Sequence, residues 1–143
     1  MPVRSAQAVW EGTSREGKGR VRADGGGFEG PYSYASRFED GAGTNPEELL
    51  AAAHAACFSM ALASRLARAG VAPRRIQSKS NVTIDKVEGD WSVTGIRLQV
   101  EADVPGANDA DFQRMAEDAK VNCPISRALK AVPITLEAML VAA

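Results

Sequence analysis

The stretch Thr44-Asn45-Pro46-Glu47-Glu48-Leu49-Leu50-Ala51-Ala52-Ala53-His54-Ala55-Ala56-Cys57-Phe58-Ser59-Met60-Ala61-Leu62-Ala63 opens with the signals of a helix start. Asn45 stands at the N-cap, Pro46 at the first helical position and Glu48 three residues past the cap. From Leu49 to Ala63 the only polar side chains are His54 and Ser59. A helix that is apolar nearly all round is expected to be buried. Its alanines let other backbones come close. In its middle sits Cys57, one of only two cysteines, either inert filling or the reason for the helix. The helix is expected from 46 to about 69, with Arg65 and Arg68 in the last turns and Gly70 as the cap. Pro73 then prevents continuation.

The sequence before the helix reads as strands. Ala6, Ala8 and Trp10 alternate with Gln7, Val9 and Glu11. Gly25-Gly26-Gly27 reads as a hairpin turn, because it lacks the strand-to-helix context and the Gly-Lys-Ser/Thr ending of a phosphate loop. The segment 30–39 alternates again, with Tyr32, Tyr34, Ser36 and Phe38 on one face and Arg37 on the other. Beyond the helix, 76–87 and 91–104 read as two strands joined at Glu88-Gly89-Asp90. Asn108 can cap a second helix that carries Phe112, Met115, Ala116 and Ala119 at helical spacing. Cys123 stands at the cap of a short third helix over 124–130, and 133–141 reads as a closing strand. This order predicts one α+β domain over 1–143, mainly antiparallel sheet around a long buried central helix.

Composition excludes some functions. With 143 residues the chain can bury a real core. Lys and Arg number 17 against 18 Asp and Glu, a net charge of −1, which leaves no cationic surplus for a phosphate backbone. No nucleic-acid partner is expected. The start, Met1 to Gln7, shows no basic segment followed by an apolar run, so a cytoplasmic location is expected. The apolar stretch 49–63 is interrupted by His54 and is short for a bilayer, so no membrane partner is expected either. Two cysteines in a reducing compartment are free, buried or catalytic rather than a permanent staple. One histidine without a close cysteine cluster argues against zinc, and no cofactor is called for.

The chemistry then turns on the thiols. A free thiol titrates near about 8.5, so only a few per cent is thiolate at neutral pH. Lowering that to about 6 takes roughly 3.4 kcal/mol, at about 1.36 per unit. Cys57 lies three turns inside its helix, beyond the reach of the dipole, and burial among alanines pushes its pKa up. A cation from elsewhere has to reach it if it is to react. One arginine at about 4 Å in a partly buried site contributes on the order of 4 kcal/mol, which suffices. Cys123, at a helix N-terminus, is favoured locally as the nucleophile. His54 lies one turn before Cys57 and could share its face, although a packing role is the simpler reading.

The stretch 44–62 closely resembles the first cysteine motif of the OsmC/Ohr family of thiol peroxidases. Val121-Asn122-Cys123-Pro124-Ile125-Ser126-Arg127-Ala128-Leu129 resembles the second, and Tyr32 to Phe38 resembles the OsmC (osmotically inducible protein C) branch. The resemblance implies an enzyme of oxidative and osmotic stress defence that reduces organic hydroperoxides, and hydrogen peroxide less well. It implies that Cys57 is the peroxidatic cysteine and Cys123 the resolving cysteine, joined by a disulfide during turnover. It makes Arg37 the activator of the thiolate and Glu47 the residue that orients Arg37, which reverses the local preference for Cys123. The other reading is a general dithiol redox protein or sensor without peroxide specificity. The reductant, a thiol, is not named by the sequence. Phe58 and Met60 suggest an apolar pocket for bulky peroxides.

The family is an intertwined homodimer, and that bears on one spacing. Glu47 and Cys57 are ten residues apart, roughly 15 Å on one straight helix. Either the helix breaks between them, or Arg37 and Glu47 serve the Cys57 of a second subunit in composite sites.

Overall fold

The structure, a computed structural model, describes residues 1–141. The chain gathers into two compact units, Met1–Leu49 and Leu50–Ala143. Each is described by itself.

The first unit is an antiparallel meander in the order β1-β2-β3, with β1 at Ala6–Glu11, β2 at Lys18–Ala23 and β3 at Glu29–Tyr32. The triple-glycine segment turns the chain between β2 and β3, with Gly26 at φ +79°. Gly19 pairs with Trp10 on one side and Tyr32 on the other. A Cβ there would lie 2.6 Å from the Tyr32 ring and 2.8 Å from the Trp10 ring, so only glycine lets the two rings meet, at 5.3 Å between centroids.

The expected strand over 30–39 is a correction. β3 ends at Tyr32 and the chain turns into helix α1, Tyr34–Phe38. The cause is a capping box. The Ser36 N–H donates to Ser33 Oγ at 3.1 Å, and the Ser33 N–H donates to Ser36 Oγ at 2.8 Å. Tyr34 and Phe38 share a face in an alternating strand and also at i, i+4 of a helix, so their pattern does not separate the two. Their rings lie 4.9 Å apart across one helical turn. Asn45 then performs the expected cap. Its Oδ1 accepts from the Glu48 N–H at 2.7 Å, and its Nδ2 donates to the Ser36 carbonyl at 2.9 Å.

Helix α2 spans Pro46–Arg68. It ends as expected at Gly70, whose φ of +84° allows the Val71 N–H to reach Leu66 O and the Gly70 N–H to reach Ala67 O. Burial is one-sided: His54, Phe58, Leu62 and Leu66, four residues apart, form the buried stripe, while Met60 is exposed. At 23 residues α2 is long and apolar enough to cross a membrane by length and composition alone, a test that the core helix of a soluble protein also passes. In this fold its buried stripe is spent on a protein core.

Strands β4 (Arg75–Val87) and β5 (Asp90–Asp103) form the long hairpin expected. Glu88 and Gly89 both have positive φ, +53° and +90°, which is the two-residue turn that suits the strand twist. Asn108 caps α3 (Asp109–Asn122), accepting the Asp111 N–H at 2.9 Å. Cys123 caps α4 (Pro124–Ala128), and β6 (Ile134–Val141) closes the sheet β4-β5-β6. β6 runs parallel to β5, as the crossover through α3 and α4 requires. The core joins Phe58, Leu62 and Leu66 of α2 to Leu98, Val100 and Ala102 of β5 and to Phe112, Ala116 and Ala119 of α3. Each large side chain in it contributes about 1.5–3 kcal/mol of burial. Cys123 belongs to the same cluster.

Candidate active site

The second unit carries both thiols. Cys57 is half-buried on α2; Cys123 is buried at the cap of α4; both are free. Cys57 packs against the core cluster that contains Cys123. Burial pushes the Cys57 thiol up from its ordinary value, as the sequence argument required. A hydrogen bond from the Ile125 backbone N–H opposes this, and the hydrogen bond and charge interaction with Cys123 add to the rise. Among the described residues of the second unit, only the Ile125 N–H favours the Cys57 thiolate, and burial outweighs it.

Cys123 is tied to α4 through Ser126. Its sulfur accepts the Ser126 N–H at 3.4 Å and its S–H donates to Ser126 Oγ at 3.0 Å. Ser126 Oγ in turn lies 2.7 Å from His54 Nε2. His54 and Ser126 are both buried, and His54 Nδ1 has no hydrogen-bond partner. Burial holds the His54 imidazole below its ordinary pKa, hence neutral at pH 7. His54, weighed in sequence as a companion of Cys57, is joined to the Cys123 side by way of Ser126. Ser126 was missed as a site residue. The signal was present, since Cys123 and Ser126 stand at the cap and third position of a helix and so face each other.

The first unit carries the arginine and the glutamate. Arg37 of α1 and Glu47 in the first turn of α2 form a forked ion pair. Arg37 Nε donates to both carboxylate oxygens at 3.1 Å, and its terminal nitrogen donates to one of them at 2.6 Å. Such a pair fixes the plane of the guanidinium. Its Cζ lies 5.1 Å from the Phe38 ring centroid. Trp10, Tyr32, Tyr34, Phe38 and Pro46 line a cleft of about 240 Å³ with Arg37 on its wall. Of the two residues expected at a pocket, Phe58 is sealed in the core, and Met60 is exposed and lines a separate cleft with Ser59, Ala63 and Pro73. Among the described residues no group of three or more His, Cys, Asp or Glu side chains could hold a metal ion.

Two free thiols that interact, one half-exposed and one buried, define a protein of thiol redox chemistry. Residues 39–137 match the family model described as OsmC-like protein. The chain is 45% identical over 135 residues to Peroxiredoxin OsmC of Escherichia coli K12, covering 94% of both chains. It is 35% identical over 98 residues to the Organic hydroperoxide resistance protein of Xanthomonas axonopodis pv. citri, covering 67% of both. Its fold is that of the organic hydroperoxide resistance protein OhrB of Bacillus subtilis, with a TM-score of 0.72 at 24% identity over 96% of this chain and 98% of that one. The chain belongs to the OsmC family, and with it to the thiol-dependent peroxidases.

Proposed function

We propose that this protein reduces organic hydroperoxides, and hydrogen peroxide less readily, through Cys57 and Cys123. The single observation that carries the reading is the interaction of the two thiols. The Cys57 thiolate attacks the peroxide oxygen, the O–O bond breaks and the alcohol leaves on taking a proton. Cys57 is then a sulfenic acid. Cys123 attacks its sulfur, water leaves, and a disulfide joins the two cysteines. A thiol reductant, acting in the cytoplasm, restores both.

Arg37 supplies the cation that Cys57 lacks, and Glu47 holds it. Arg37 and Glu47 serve the Cys57 of a second copy, and the functional unit is a homodimer of single-domain subunits with two composite sites; the ten-residue spacing of Glu47 and Cys57 in the sequence supports this reading. The aromatic cleft beside Arg37 receives the organic group of the peroxide.

Subunit complementation tests this. With cumene hydroperoxide at pH 7, Cys57→Ser protein is inactive and Arg37→Ala protein is strongly slowed. Mixed and allowed to exchange subunits, they regain activity, since one site per mixed dimer is whole. Activity that never returns in a mixture shown to contain mixed dimers refutes the composite site.

A further inference from the structure

His54, Ser126 and Cys123 form a continuous hydrogen-bonded chain inside the second unit, and the activity just proposed leaves two of its members without a task. With the Cys123 S–H placed on Ser126 Oγ, the tautomer of His54 that carries its proton on Nδ1 sets the order of donors. The Cys123 S–H donates to Ser126 Oγ at 3.0 Å. The Ser126 hydroxyl, having accepted that proton, directs its own at His54 Nε2, 2.7 Å away. A neutral imidazole accepts there through its lone pair and carries its proton on Nδ1. Of the buried side-chain nitrogens and oxygens of His54 and Ser126, Nδ1 is the one without a hydrogen-bond partner. An unpartnered polar atom on a fully buried histidine costs stability, and a sealed residue spaced for helix packing could have been leucine, like Leu62 and Leu66 of the same stripe.

We propose that Ser126 and His54 are the proton-accepting relay of the resolving step, carrying the Cys123 proton away as Cys123 attacks the oxidised Cys57. This rests on the reading of Cys123 as the resolving cysteine. The Cys123 sulfur forms a bond to the Cys57 sulfur as the Cys57 S–O bond breaks, and the electron pair leaves with oxygen. Solvent supplies the proton that makes that oxygen water. The Cys123 sulfur is oxidised by one unit and the Cys57 sulfur reduced by one. The Cys123 proton passes to Ser126 Oγ while the Ser126 proton passes to His54 Nε2. When a thiol reductant later opens the disulfide and Cys123 leaves as a thiolate, the imidazolium returns the proton by the same path. Ser126 touches the reacting thiol; His54 acts through it and is a positioning residue.

The test separates the two chemical steps by stopped flow with cumene hydroperoxide: loss of peroxide in the first turnover, then disappearance of the sulfenic acid by dimedone trapping. In Ser126→Ala the first step keeps its wild-type rate. The condensation slows by about 100-fold, the lower range of what a positioned proton acceptor contributes. Ser126→Thr, which keeps the hydroxyl, restores the condensation. His54→Gln presents an acceptor oxygen that cannot hold a proton, and it slows the condensation while leaving the first step alone. The condensation in the wild type is slower in deuterium oxide, and Ser126→Ala abolishes that isotope effect, which a purely structural serine would leave in place. Condensation at the wild-type rate in both Ser126→Ala and His54→Gln overturns the relay, as does equal slowing of both steps. A Cys123→Ser protein that accumulates no sulfenic acid indicts the resolving assignment instead, so the two failures are distinguishable.

Discussion

Removing the guanidinium of Arg37 (Arg37→Ala) probes the account at its most exposed point. In the second unit burial and Cys123 both push the Cys57 thiol up, and only the Ile125 N–H pulls it down. An ordinary thiol is about 3% thiolate at pH 7, and without a cation the burial of Cys57 leaves it with less. One guanidinium near 4 Å, worth on the order of 4 kcal/mol, outweighs this and turns most of the thiol to thiolate. Arg37→Ala therefore slows the reaction of Cys57 with cumene hydroperoxide at pH 7 by about 30-fold or more. The loss shrinks as pH rises past 9, where the thiolate forms unaided. The assay is the pH dependence of the first-turnover rate, cross-checked by alkylation of Cys57 with iodoacetamide. A pH–rate profile in Arg37→Ala that superimposes on the wild type refutes the reasoning.

The remaining perturbations act on neighbouring parts. Glu47→Gln keeps a hydrogen-bond acceptor for Arg37 but loses the charge and the fork, so it slows the first turnover by less than Arg37→Ala, without moving the urea midpoint by more than about 1 kcal/mol equivalent. Phe58→Ala empties a fully buried position shared with Leu62 and Leu98, and should cost about 3–5 kcal/mol in urea unfolding. His54 is held neutral by burial, so its folded pKa lies below the unfolded 6.5. The unfolded chain binds the extra proton, and stability present above pH 6.5 is lost as pH falls from there through the folded pKa. Denaturation midpoints measured between pH 7 and pH 5 should fall in the wild type and fall less in His54→Gln; parallel curves would exclude the assigned titration.

Much of this architecture can be read from the sequence because its signals are local. Asn45-Pro46, Gly70, Asn108 and Glu88-Gly89 are each a cap or turn whose chemistry lies within a few residues, and each element they bound is present. Residues 33–38 were misread because two serines three apart outweigh an alternation that fits both structures. The direction of β6 was open until the crossover through α3 and α4 placed it beside β5. The burial of α2 on one face alone could not be foreseen, since a helix that is apolar all round does not say which face its own chain covers. Arg37 and Glu47 were singled out by resemblance; their fork depends on α1, which the sequence reading did not contain. Ser126 and His54, 72 residues apart, meet only through the packing of α4 on α2.

The account stands or falls on which sulfur meets the peroxide. Cys123→Ser protein, treated with one equivalent of cumene hydroperoxide and analysed by mass spectrometry, should gain a single oxygen on Cys57, consume one peroxide and stop. Cys57→Ser protein should gain none. Full turnover by either variant, or oxygen found first on Cys123, would contradict it.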